Sequence, residues 1–96
     1  MKHLRFEWDD RKSVQNERKH GVSFAEAQSV FSDENAVEFF DPDHSKDEDR
    51  FILLGVSARL RVLVVCHCQR KGNSIRVISA RKADKQEEKD YWERLQ

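Results

Sequence analysis

Between Arg50 and Ala80 the chain reads as three alternating apolar runs: Arg50 to Ser57, Leu60 to Cys68 and Ser74 to Ala80. A tight turn near Ala58-Arg59 joins the first pair, and Gln69-Arg70-Lys71-Gly72-Asn73 joins the second. Parallel neighbours need a crossover of about a dozen residues or more, so these runs must be antiparallel neighbours in one sheet. Val37 to Phe40 is a shorter run of the same kind. The sequence therefore predicts a four-stranded antiparallel meander, and everything else in the chain must pack on it.

Helical signals flank the meander. Asp9 is placed to cap a polar helix from Asp10 to His20, stopped by Gly21, with Arg18, Lys19 and His20 suiting the carboxyl end of its dipole. Ser23-Phe24-Ala25-Glu26 reads as a capping box opening a second helix that buries Phe24, Ala27, Val30 and Phe31. Asp84 to Leu95 reads as a third, charged helix with Glu88, Tyr91, Trp92 and Leu95 along one face. Phe6 and Trp8 alternate around Glu7 like a short strand or an anchored arm. The 96 residues (1–96) thus form a single α+β domain, helices on a four-stranded antiparallel sheet, with no repeat and no second unit. The longest apolar run, Val62 to Cys66, is far short of the roughly 20 residues of a membrane span, and the amino terminus lacks a signal-peptide core. A cytoplasmic protein with no membrane partner is expected.

Charge is distributed unevenly along this frame. The chain holds 18 basic and 18 acidic residues, yet residues 50–82 carry eight Arg and Lys and no Asp or Glu. Residues 21–49 carry nine acids against one Lys. A cationic field held on a rigid sheet suggests a phosphate-bearing partner. Cys66 and Cys68 share one strand face about 7 Å apart, too far for an unstrained disulfide, and read as small buried hydrophobes. Neither a metal nor a cofactor is expected.

The strongest chemical constellation is Ile75-Arg76-Val77-Ile78-Ser79-Ala80-Arg81-Lys82-Ala83, where cations leave the last strand and meet the last helix. Guanidinium forks grip phosphate oxygens and do not titrate near neutrality. Converging cations of this kind also stabilise the charge that develops in phosphoryl transfer. Arg76 and Arg81 either do this or pair with the acidic loop or with Glu87 and Glu88. His67 lies mid-sheet on the face that also carries Arg61, where an imidazole can serve as general acid or base. That face is apolar only in its middle, whereas Leu60, Val62, Val64, Cys66 and Cys68 form the face expected to lie against helices. His20 either caps carbonyls or shuttles protons. His3 and His44 carry no signal. Asp41 to Asp49 lacks the glycine and regular ligand spacing of a calcium loop and reads as a solvated loop that folds back over the basic sheet.

Three blocks together resemble one known family: Phe6-Glu7-Trp8-Asp9 with Lys12 and Asn16; Lys19-His20-Gly21-Val22-Ser23-Phe24 with Glu26-Ala27 and Val30-Phe31; and Ile78-Ser79-Ala80-Arg81-Lys82-Ala83 followed by Tyr91. Asp41-Pro42-Asp43-His44-Ser45, Arg50-Phe51 and Leu54-Gly55-Val56-Ser57 fit between them. This pattern is similar to the BrnT family, the toxin half of bacterial type II toxin–antitoxin pairs, over nearly the whole chain.

The resemblance implies a fold akin to the RelE-type microbial ribonucleases and an RNA-cleaving toxin that inhibits translation. It also implies a neutralising ribbon-helix-helix antitoxin, BrnA-like, through which alone the pair would contact operator DNA. The site residues it implies are Lys19, His20, Arg50, His67, Arg76, Arg81 and Tyr91, with Arg61 and Lys82 adding contacts to RNA. The expected chemistry is metal-independent attack of the RNA 2′-OH on the adjacent phosphate. The rival expectation is a non-catalytic module whose basic sheet binds an acidic protein partner or single-stranded nucleic acid.

Overall fold

A computed structural model describes residues 3–96. Its sheet has five strands in the order β1-β5-β4-β3-β2: β1 (Arg5–Glu7), β2 (Val37–Phe40), β3 (Arg50–Val56), β4 (Val62–Gln69) and β5 (Ser74–Lys82). The helices are α1 (Asp10–His20), α2 (Phe24–Ser29) with a 3-10 turn at Val30–Ser32, and α3 (Lys85–Glu93). The meander β2-β3-β4-β5 is antiparallel as expected. The sheet is nevertheless mixed and not four-stranded, because the Phe6 arm adds a fifth strand parallel to β5, with Phe6 opposite Ile75. Three residues with one alternation signal a strand too weakly to reveal its partner or direction.

Both sheet faces are covered, unequally. Val22, Phe24, Ala27 and Val30 pack on Leu53, Leu63, Val65, Val77 and Ala80 to form the main core. The opposite face carries Leu54, Val62 and Val64 under Tyr91, the only buried residue of α3. Of the face expected to lie against helices, Val62 and Val64 therefore meet one short helix and Leu60 is left exposed in the turn, while the face carrying His67 takes the pair α1 and α2. Burial at about 25 cal/mol per Å² favours giving the larger helical layer to the longer apolar patch formed across all three central strands. A single strand read in isolation does not display that patch.

The caps follow local chemistry. Asp9 accepts hydrogen bonds from the amides of Arg11 and Lys12 at 2.9 and 3.2 Å, and Gly21 closes α1 in the left-handed region at φ 70°. The box expected at Ser23 is half formed: Ser23 Oγ accepts from the Glu26 amide, but the Glu26 side chain turns toward Arg61. The complete capping box is Asp84 with Glu87, at the start of α3.

Two features of β5 shape the site. A bulge between Cys66 and His67 pairs Cys66 with Ser79 but His67 with Val77, leaving Ile78 without a partner in the register. Val77 and Ala80 can thus both enter the core while Ser79 and Arg81 face the other way. Where β1 ends, buried Asn16 takes over the edge of β5. Its Nδ2 donates to the carbonyls of Ala80 and Val22, both at 2.8 Å, and its Oδ1 accepts from the Ala80 amide at 3.2 Å. The carboxamide stands in for a strand residue and holds the end of α1 beside Ser79.

Candidate active site

Where α3 gives out, its side of the sheet opens into a cavity of about 270 Å³. The polar wall is His20, Asp41, His44, Arg50, Ser79 and Arg81, over a floor that includes Ile52, Val64, Cys66 and Ile78. Each wall residue arrives by a separate route. His20 is the last residue of α1, positioned by the Asn16 clamp. Arg50 opens β3 on the face shared with Ile52 and Leu54. Ser79 and Arg81 share this face because of the bulge. Asp41 and His44 bracket a 3-10 turn, Pro42–His44, immediately after β2.

The two arginines differ in their engagement. Arg81 forms a two-pronged pair with Glu87, Nη1 to Oε1 at 2.8 Å and Nη2 to Oε2 at 2.9 Å. That pairing raises the Arg81 pKa and lowers that of Glu87. Arg50 has no ion pair among the described residues, and its Nε is buried without a hydrogen-bond partner. An unmet buried guanidinium donor in a cavity is suited to an incoming anion. Burial pushes the Cys66 thiol upward, so this floor residue stays protonated and is a poor nucleophile.

The remaining expected residues are divided among other places. Lys19 lines a shallow depression that shares His20, Ile78 and Ser79 with the cavity, extending the cationic surface along α1. Lys82 is exposed beside Gly21. Arg76 is outside the cavity, 3.6 Å from Glu7, because parallel pairing sets β1 against it. Arg61 is engaged within the protein and lies outside the cavity: its Nε and Nη2 bind Glu26, and Nη2 also donates to the Gly21 carbonyl at 2.9 Å. Tyr91 is buried, with its hydroxyl donating to Asp33, and desolvation with that carboxylate pushes its pKa to about 12.

His67 is wholly enclosed on the α1–α2 side, edge-on to Phe31 and stacked near Phe51. It does not reach the cavity, and its Nε2 has no partner. Burial lowers its pKa below the ordinary 6.5, so the folded protein holds it neutral. The unfolded chain binds the extra proton, so stability should fall as pH drops below about 6.5, by up to ~1.4 kcal/mol per unit. In urea titrations between about pH 5 and 7, His67→Leu should flatten that slope without costing stability at neutral pH. An unchanged slope would assign it to other groups.

Sequence reasoning gave no site role to Asp41, His44 or Ser79, whereas Glu87 was among the partners it offered for Arg81, and that pair is formed. The available signal was the Asp41-Pro42-Asp43-His44 spacing, since Pro opening a 3-10 turn eclipses residues three apart. A larger depression of about 630 Å³ adjoins the cavity through Ile52 and Val64. Phe39 and Leu54 line it, and Glu87, Asp90 and Glu93 supply most of its charge, so it is less suited to an anion than the smaller cavity.

Fold and site together define a small α+β protein with a cationic, imidazole-bearing pocket able to take a phosphate group. The chain belongs to the BrnT family: residues 8–87 match the family model described as ribonuclease toxin, BrnT, of type II toxin-antitoxin system. It is also similar to the crystal structure of the Brucella abortus ribonuclease toxin, BrnT, at 25% identity and a TM-score of 0.63. That alignment covers 86% of this chain and 100% of the other. A comparison with curated proteins gives no match. Membership implies an RNA substrate and an antitoxin partner. Among the described residues, no helix is long and apolar enough to cross a membrane.

Proposed function

We propose that this chain is an endoribonuclease toxin that cleaves RNA by metal-independent transesterification in the Arg50–Arg81 cavity. The observation that carries the reading is the Arg50 guanidinium, without an ion pair among the described residues and with its Nε buried and unpartnered, lining a cavity that Arg81 and His20 also line. Arg50 would bind the scissile phosphate and stabilise the pentacovalent state, with Arg81 joining once it leaves Glu87. The 2′-oxygen attacks phosphorus, giving a 2′,3′-cyclic phosphate and a free 5′-OH. His20, which lines the cavity, would serve proton transfer, while Lys19 and Lys82 would guide the flanking backbone. In the cell the reading is of a cytoplasmic, RelE-type inhibitor of translation neutralised by a ribbon-helix-helix antitoxin.

Cleavage of a defined single-stranded RNA in EDTA tests it against the Arg50→Ala/Arg81→Ala double variant. The parent should yield fragments ending in cyclic phosphate, the double variant should not, and 2′-O-methyl RNA should resist both. Binding without cleavage by the folded parent would instead favour a non-catalytic module. Equal cutting of methylated RNA would remove the 2′-OH mechanism.

A further inference from the structure

Transesterification moves two protons, and the cavity holds two imidazoles. As the bond from O2′ to phosphorus forms, the 2′-OH proton must go to a base. As the bond from phosphorus to O5′ breaks, an acid must supply the leaving alkoxide with a proton. We propose that His44 is the general base, that Asp41 is its positioning residue, and that His20 is the general acid. The proposal rests on the ribonuclease reading above and adds a catalytic group that the sequence patterns left without a role.

The geometry around His44 is that of an oriented imidazole. Its Nδ1 is 2.8 Å from Asp41 Oδ2. The Asp41 side chain is only 11% exposed and that of His44 is 67% exposed. A sheltered carboxylate is thereby directed at an imidazole that solvent and substrate can reach. With Nδ1–H donating to the carboxylate, the neutral ring must carry its lone pair on Nε2, the arrangement a general base needs. Nothing comparable orients His20, whose ring has no hydrogen-bond partner among the described residues. The base is therefore assigned to His44 and the acid to His20.

The dyad is tied to the phosphate-binding arginine through the backbone. The Asp41 amide donates to the Arg50 carbonyl at 2.9 Å, and the Arg50 amide donates to Ser45 Oγ at 2.9 Å. Between these anchors, the Pro42–His44 turn brings residues 41 and 44 onto one side. Arg50 and His44 are thus parts of one braced corner, with α1 presenting His20 to the same cavity.

The two proton roles separate with a bridging 5′-phosphorothiolate RNA, whose sulfur leaves without an acid. Parent, His44→Ala, His20→Ala and Asp41→Asn chains would be compared on this substrate and on ordinary RNA, with folding checked by circular dichroism. His44→Ala should lose about 10²–10⁴-fold on both substrates, and free imidazole should restore part of the rate. His20→Ala should lose a similar factor on ordinary RNA but approach the parent on the sulfur substrate. Asp41→Asn should lower kcat with little change in KM.

A fully active His44→Ala beside an active parent overturns the dyad and leaves the ribonuclease reading intact. Recovery of His44→Ala on the sulfur substrate makes His44 the acid and overturns the assignment. An unchanged kcat in Asp41→Asn overturns the positioning role. A folded parent that cuts neither RNA sinks the ribonuclease reading and the dyad with it.

Discussion

Replacing Arg50 with alanine is expected to slow RNA cleavage ~10²–10³-fold while leaving the fold as stable as before. Both halves follow from one observation. The guanidinium has no carboxylate partner among the described residues, and its buried Nε has no acceptor. Its best partner would be an anion entering the cavity, so truncation removes a contact that matters most when phosphate carries extra charge. In the empty protein the same truncation deletes an unsatisfied donor, which is neutral or stabilising. Single-turnover rates and urea midpoints on one preparation check both statements. A loss of stability above about 1 kcal/mol would mean that Arg50 is chiefly structural.

Arg81 should behave differently. Its fork already holds Glu87, so RNA must displace a carboxylate before Arg81 can help. Arg81→Ala should therefore cost less than Arg50→Ala, and Glu87→Gln should tighten RNA binding by freeing the fork. These comparisons separate the two arginines, which sequence composition treats as equivalent.

What was legible in the chain follows from how local each determinant is. The meander could be read because alternation and short connections jointly leave one arrangement. Asp9 and Gly21 could be read because caps depend on residues next to them. The bulge could not: strict alternation puts Arg76 and Arg81 on opposite faces, whereas the observed register opposes Cys68 to Arg76 and Val64 to Arg81, on one face. His67 lies on the face that alternation assigns it, but its enclosure there was not legible. Both faces of β4 are apolar in the middle, and only assembly with β3 and β5 decides which takes two helices. His44 was passed over because a turn aligns it with Asp41, and that turn is anchored by hydrogen bonds of Asp41 and Ser45 to the Arg50 backbone. Asn16, present in the family pattern, has a structural part in the site by clamping α1 to β5.

The second large effect concerns stability. Glu26→Ala is expected to lower unfolding free energy by about 3 kcal/mol, a large share of the 5–15 kcal/mol typical of a domain. The Glu26 side chain is 5% exposed. It accepts from Ser57 Oγ at 2.7 Å and Arg61 Nε at 2.9 Å, with Arg61 Nη2 making a further short contact. Removing the carboxylate leaves a partly covered guanidinium without its counter-charge and a buried hydroxyl without its acceptor. It also releases the β3–β4 turn, where the Ser57 carbonyl accepts from the amide of Leu60, itself at φ 63°. Glu26→Gln keeps the shape and an acceptor for Ser57, so it should cost less than the alanine change. The hydrogen bonds from Arg61 hold the Glu26 carboxyl below its ordinary 4.5. Its stabilisation is therefore complete above that value and disappears as pH falls through the lowered one. Urea curves of parent and Glu26→Ala should lie farthest apart near neutrality and converge in acid. A gap that stays constant into acid would mean that lost packing, and not the ion pair, sets the cost.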